Sequence, residues 1–249
     1  KGQSLEADHV IHHNPDLGCE QLVTALTAMG PTYIKVGQAL SIRADLLSPP
    51  YIAALTGLQD RVPSFPTDEA RAILAREWGL RDASKIDDLF VTLSPEPVAA
   101  ASLGQVYRGT LKAGGREVAI KVQRPGVEGG IALDLLLIRA LMTSFKRLTG
   151  ANTDLIGLVD DWGRGFVDEL DYEKEATNAD AFVASIASSP LASVVTAPEV
   201  DTELSTKRVL VTNWVDGERL EKSQANDVSA LCGVALNTYL SMLLETGLL

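Results

Sequence analysis

The stretch Pro97–Gly126, PVAAASLGQVYRGTLKAGGREVAIKVQRPG, decides how the chain is read. Gln105–Leu111 and Glu117–Gln123 are two runs rich in Val, Ile and Tyr. The turn Lys-Ala-Gly-Gly-Arg from Lys112 to Arg116 separates them, which predicts a β-hairpin. A loop of small residues, Ala99, Ala100, Ala101 and Ser102, precedes it. Strand alternation sends Lys121 to the face opposite its apolar neighbours Ile120 and Val122.

The chain has 249 residues, enough for one large domain or two lobes. With 46% hydrophobic and 22% charged residues, its composition is that of an ordinary globular protein. A net charge of −11 excludes a broad nucleic-acid surface, which needs clustered Lys and Arg, while leaving room for a local basic site. Cys19 and Cys232 lie far apart and form no metal-spaced group, so both read as reduced packing residues. His9, His12 and His13 read as part of a polar lead-in rather than a metal site. The longest apolar candidate for a membrane span, Ile131–Met142, contains Asp134 and Arg139 and is well short of the ~20 residues required. No signal-peptide pattern follows Lys1, so any targeting segment is expected to have been removed or to lie outside this sequence.

Leu22, Leu26 and Met29 recur at helical spacing before Gly30-Pro31 breaks the helix. A second helix carries Lys35, Gly37 and Gln38, with Lys35 and Gln38 on one face and Gly37 permitting a close neighbour. Spacing alone reads this as a surface helix. Ser48-Pro49-Pro50 stops it, Tyr51–Asp60 predicts a short helix, and Thr67 is expected to cap another that runs to about Trp78. Asp82–Leu93 reads as a turn and a short apolar piece. The first 95 residues are thus expected to be a mainly helical extension, with β structure only afterwards.

Beyond the hairpin, Ile131–Leu148 predicts an amphipathic helix. A single long helix is expected from about Leu155 to Ile186, capped by Asn152, Thr153 or Asp154. It is acidic, with Asp171 and Glu175 on one face and Glu169 and Glu173 on another. Such a run is commonly a solvated face, yet this is also the nearest downstream helix that could give Lys121 a carboxylate partner. Val194–Pro198 and Arg208–Thr212 read as strands, the second leading into Asn213-Trp214-Val215-Asp216-Gly217. Leu231–Leu244 is apolar around most of its circumference and is expected to be buried.

A strand lysine behind a tight small-residue loop is how a protein-kinase N-lobe holds nucleotide phosphates. In this order the pieces resemble the UbiB family of atypical kinase-like proteins, also called aarF-domain kinases, over about Gly30–Leu249. Lys35-Val36-Gly37-Gln38 matches its KxGQ motif, and Ala99–Ser102 the alanine-rich loop that replaces a glycine-rich one. Val118-Ala119-Ile120-Lys121 matches the strand lysine, Glu169-Leu170-Asp171 the ExD motif, and Asn213–Gly217 the hinge, with Asn213 where the family often has Glu.

The resemblance implies an α+β fold in three parts. Residues 1–95 would be the helical KxGQ extension, 96–217 a kinase-like N-lobe with an antiparallel sheet and an αC-type helix, and 218–249 the start of a helical C-lobe. It implies that Lys121 pairs with Glu175 as the catalytic pair, and that Ala99, Ala100, Ala101, Ser102, Lys121, Asn213, Trp214 and Val215 bind nucleotide. Lys35, Gly37 and Gln38 would form a gate with Glu169 and Asp171. ATP or ADP with Mg²⁺ is the implied cofactor, with its metal ligands in the HxDPHPxN and DFG motifs expected beyond Leu249. Without those motifs no phosphoryl transfer is expected from this chain.

The implied function is that of an atypical ATPase or small-molecule or lipid kinase in isoprenoid quinone or prenyl-lipid metabolism. A pseudokinase scaffold or structural subunit is the alternative, and a helical protein with an incidental hairpin a third. Partners would be the nucleotide, lipid or quinone-pathway proteins and a peripheral membrane contact, with no nucleic acid. Leu47–Pro50 and Leu93–Pro97 resemble the plastid and cyanobacterial branch. That implies a chloroplast location, thylakoid or plastoglobule, with mitochondrion or bacterial cytoplasm as alternatives.

Overall fold

The structure, a computed structural model, describes residues 15–247 apart from 46, 60, 61 and 150–153. The histidines of the lead-in, Asp60 and the candidate caps Asn152 and Thr153 lie outside the described residues. The chain divides into two compact units, 1–62 and 63–249.

In the first unit, α1 (Pro15–Met29) and α2 (Pro31–Leu40) are separated by Gly30 at φ 103°, a conformation that favours glycine. α3 (Pro49–Thr56) continues into a 3₁₀ turn, Gly57–Gln59. Ile34, Leu55, Leu58 and Val62 form its core. A Cβ at Gly37 would lie 2.6 Å from Leu58 and 3.0 Å from Leu26, so glycine is what lets α2 approach its neighbours.

The second unit starts before the expected boundary at 95. α4 (Thr67–Glu77) and β1 (Phe90–Leu93) already belong to it, because Ile73, Leu74 and Phe90 share one core with the hairpin. Thr67 is the first helical residue rather than the cap. Pro66 holds the cap position, and the Thr67 hydroxyl instead accepts from the Tyr107 hydroxyl at 3.2 Å.

β1, β2 (Ala99–Ala100), β3 (Gly104–Leu111), β4 (Glu117–Gln123) and β5 (Val209–Asn213) make an antiparallel sheet in the order β1-β3-β4-β5, with β2 also on β3. Tyr107, Val118, Ile120, Val122, Val209 and Val211 turn towards α4 and form the main core. Lys121 lies on the other face, as alternation requires.

α5 (Val127–Thr149) is followed by α6 (Leu155–Asp168), whose cap is Asp154, accepting from Gly157 N at 3.1 Å. The expected single helix to Ile186 is in fact two, α6 and α7 (Tyr172–Ile186). Leu170 is drawn into a small core with Leu103, Val127 and Ile131, and Asp171 leaves helical geometry to cap α7. The shared faces expected across this break therefore do not exist. Val194–Pro198 forms no strand: Val194 ends a 3₁₀ turn (Pro190–Ser193) with 60% of its surface exposed, and only Val200 bridges to Thr212.

The helix expected to be buried, α8 (Val228–Ser241) with its π-turn Met242–Thr246, contains no buried residue. The described residues leave its apolar face uncovered, so Cys232 is exposed while Cys19 is buried as expected. Val228–Thr246 also replaces Ile131–Met142 as the candidate span, being long and apolar enough to cross a membrane by length and composition alone.

Candidate functional site

The site is built on the sheet face that carries Lys121. Ala99 pairs with Val106, Val106 with Lys121 and Lys121 with Leu210, so these residues form one row across four strands. Cross-strand partners share a face. The ammonium is therefore flanked by the small apolar surface of Val106 and, two residues back along β4, Ala119. Asn213, where the hinge begins, pairs with Val118 three residues from Lys121.

α7 brings the counter-charge. Asp171 Oδ1 accepts from Glu173 N at 3.1 Å and Lys174 N at 3.3 Å, which starts the helix and fixes its first turn. From that turn Glu175 receives Lys121 Nζ at both carboxylate oxygens, 2.8 and 2.7 Å. The Tyr172 ring, one turn earlier on the same face, lies under the ammonium with its centre 4.5 Å from Nζ. Burial, then the nearby charges of Glu175 and Glu169, push the Tyr172 phenol far above its ordinary pKa, so it stays neutral. Its hydroxyl is buried and has no hydrogen-bond partner among the described residues.

A cavity of about 860 Å³ opens beside this pair, lined by Lys121, Gly165, Asp168, Glu169, Asp171, Glu173, Lys174 and Glu175 among others. Lys174 is bonded to Asp168 at 2.6 Å, and that hydrogen bond holds its ammonium above the usual lysine range. The lining is thus mainly acidic around two ammonium groups, Lys121 paired with Glu175 and Lys174 with Asp168.

The loop Ala99–Ser102 and the hinge lie along the same sheet rather than in that cavity. Ala101 N donates to Gly104 O at 2.8 Å and closes a tight turn. At the hinge, Asn213 N donates to Glu199 O and Trp214 N to Glu117 O, both at 2.9 Å, whereas Val215 N makes no hydrogen bond among the described residues. The Asn213 side chain bonds Arg116 and Glu199, and the Trp214 indole stacks on Arg108, 4.5 Å from the guanidinium carbon. Backbone, not these side chains, is what the hinge can offer.

Lys35, Gly37 and Gln38 belong to the first unit, where Gln38 Nε2 donates to Leu58 O at 2.9 Å instead of facing solvent. Asp171 is occupied as a helix cap, and Glu169 is the C-cap of α6.

These donors suit a nucleotide. The ammonium and loop amides match phosphate and the apolar surface of Val106 and Ala119 suits a base, whereas the carboxylates among the described residues form no group that could hold a metal ion. Tyr172 was not legible as a site residue. The one available signal was an aromatic residue three positions before a carboxylate.

The sequence matches the ABC1 atypical kinase-like domain over residues 57–249. A chloroplastic aarF domain-containing protein kinase of Arabidopsis thaliana is 42% identical over 229 residues, 91% of this chain and 31% of that protein. The chloroplastic ACTIVITY OF BC1 COMPLEX KINASE 3 of the same plant is 38% identical over 233 residues, 91% of this chain and 32% of that protein. A Marinobacter nauticus protein bearing the protein kinase UbiB name is 36% identical over 200 residues, 80% of this chain and 35% of that protein. A solved structure of Rv3197 with erythromycin, from Mycobacterium tuberculosis, is 30% identical with a TM-score of 0.53, covering 84% of this chain and 51% of that one. The chain spans about a third of the length of these curated relatives. With a kinase-like α+β fold and a family match over most of its length, the chain belongs to the ABC1 atypical kinase-like family, whose members include the aarF-domain and UbiB kinases.

Proposed function

We propose that this chain supplies the nucleotide-binding part of an atypical kinase-like ATP-dependent protein, an ATPase or a small-molecule or lipid kinase. The observation that carries this is the bidentate pair between Lys121 on β4 and Glu175 on α7. A strand lysine fixed by a helix carboxylate is the arrangement with which kinase-like proteins neutralise nucleotide phosphates.

In this reading Lys121 contacts the phosphates and Glu175 fixes its ammonium. The backbone of Ala99–Ser102 covers the phosphates, and the hinge backbone from Asn213 to Val215 meets the base. Mg²⁺, when bound, neutralises phosphate charge within an otherwise acidic setting. The UbiB and ABC1 names of the relatives support a role in isoprenoid quinone or prenyl-lipid metabolism. Their chloroplastic and bacterial members support a plastid or bacterial setting. Within the same proposal Lys35 and Gln38 restrict which acceptors are phosphorylated, so K35A and Q38A would broaden acceptor use.

The test is thermal unfolding of the full-length protein with MgATP or MgADP. A ligand at 100 times its Kd stabilises a one-site protein by about 2.7 kcal/mol. The expected result is a concentration-dependent rise in Tm that K121A abolishes. An equal rise in wild type and K121A rejects the proposal, as does no rise in either.

A further inference from the structure

Arg124, immediately after β4, is a half-buried cation with no carboxylate partner among the described residues. Its hydrogen bonds go to backbone carbonyls. The backbone N–H donates to Leu103 O at 2.9 Å, Nε and Nη2 donate to Ala101 O at 3.3 and 3.2 Å, and Nη2 also donates to Pro63 O. The guanidinium lies over Phe65, 5.5 Å from its ring centre. Loss of hydration lowers its pKa below the usual arginine value, with no anion to oppose the shift.

The support to which Arg124 ties the loop is itself fixed. Buried Gln105 accepts from Phe65 N at 3.0 Å and donates to Phe65 O at 3.2 Å and to the Tyr107 hydroxyl at 2.6 Å. Phe65 is therefore tied to β3 two residues from Pro63, whose carbonyl Arg124 holds together with that of the alanine-rich turn. Arg124 has the strand parity of Ile120 and Val122, the face opposite Lys121.

A trans peptide sets its N–H antiparallel to its C=O. Holding Ala101 O towards the guanidinium consequently points Ser102 N–H away from it, and that N–H makes no hydrogen bond among the described residues. A planar fork can hold one carbonyl through two N–H groups and still reach a second, which an ammonium at this site cannot reproduce.

We infer that Arg124 is the positioning residue of the alanine-rich loop, orienting Ser102 N–H as a donor to a phosphate oxygen of a nucleoside di- or triphosphate. This rests on the nucleotide-binding reading above and identifies the group that gives the loop its one productive peptide orientation.

The test measures Kd for MgADP and for adenosine, which lacks phosphate, on full-length wild type, R124Q, R124K and K121A. R124Q is expected to weaken MgADP binding about tenfold, the loss of one charge-assisted hydrogen bond. Adenosine binding should change less than about twofold, and R124K should fall between R124Q and wild type. A general structural role would weaken both ligands alike, so an unchanged ADP-to-adenosine ratio overturns the inference. If R124Q does not fold by circular dichroism, the ratio in R124K decides. MgADP binding that needs Lys121 but not Arg124 overturns this inference alone, whereas a wild type that binds neither ligand overturns it together with the nucleotide reading.

Discussion

The hydroxyl of Tyr172 fills the space into which a side chain at Gly104 would project. A Cβ built on Gly104 would lie 2.7 Å from that oxygen and 2.6 Å from the carbonyl oxygen of Val122. The start of β3 and the start of α7 are therefore fitted to each other beside the ammonium of Lys121, and position 104 has no room for a side chain.

G104A should destabilise the protein by about 1–3 kcal/mol, the usual cost of forcing an extra methyl group into a packed site. The double variant G104A/Y172F should recover only part of this loss, because the Val122 carbonyl still obstructs the methyl group. Urea unfolding of the two variants checks both statements. G104A with wild-type stability would contradict the fit.

Y172F should be at least as stable as wild type at pH 7, since the lost hydroxyl is buried and unpaired. The two should diverge in alkali. Burial and then the charges of Glu175 and Glu169 raise the phenol in the folded protein, while in the unfolded chain it titrates near pH 10. Below about pH 10 both states keep the proton and its contribution is intact. Above that the unfolded chain releases the proton and the folded one does not, so stability falls by about 1.4 kcal/mol per pH unit. Urea midpoints at pH 8, 10 and 11 should show this extra slope in wild type but not in Y172F. Equal slopes would contradict it.

Asp171 acts through the helix it starts. D171A should lower stability by about 0.5–2 kcal/mol, and D171N, which keeps the accepting oxygen, by much less. Denaturant midpoints of the two variants separate capping from a purely electrostatic role, in which D171N would resemble D171A.

E175Q should cost little stability and much affinity. The side chains of Lys121 and Glu175 are 32% and 45% exposed, and ion pairs this open contribute at most about 1 kcal/mol. Nucleotide Kd should nevertheless rise severalfold as the ammonium loses its fixed position. Unchanged affinity together with a large loss of stability would make the pair structural only.

Local features were legible in the sequence wherever neighbours in the chain decide them. The hairpin and the face of Lys121 follow from alternation and turn residues, and a short polar cap before Leu155 follows from Asn152, Thr153 and Asp154, among which the structure selects Asp154. The break at Glu169–Asp171 was not legible, because the run is helix-permissive throughout. What interrupts it is Leu170 entering a core built from α5 and the loop before β3. Glu175 as the partner of Lys121 came from family resemblance, since the acidic residues of this region are alike in local pattern. Arg124 left no local trace, its targets being carbonyl groups 23 and 61 residues away. Burial of α8 was misread because periodicity reports apolar surface but not what covers it.

The most direct measurement is labelling of the full-length protein with an acyl-phosphate derivative of ATP, which acylates a lysine lying against the bound phosphates, followed by peptide mass spectrometry. The expected result is modification at Lys121 that excess MgADP suppresses and that E175Q reduces. Modification of Lys121 that MgADP leaves unchanged, or labelling confined to other lysines such as Lys174, would contradict a nucleotide site at the Lys121–Glu175 pair.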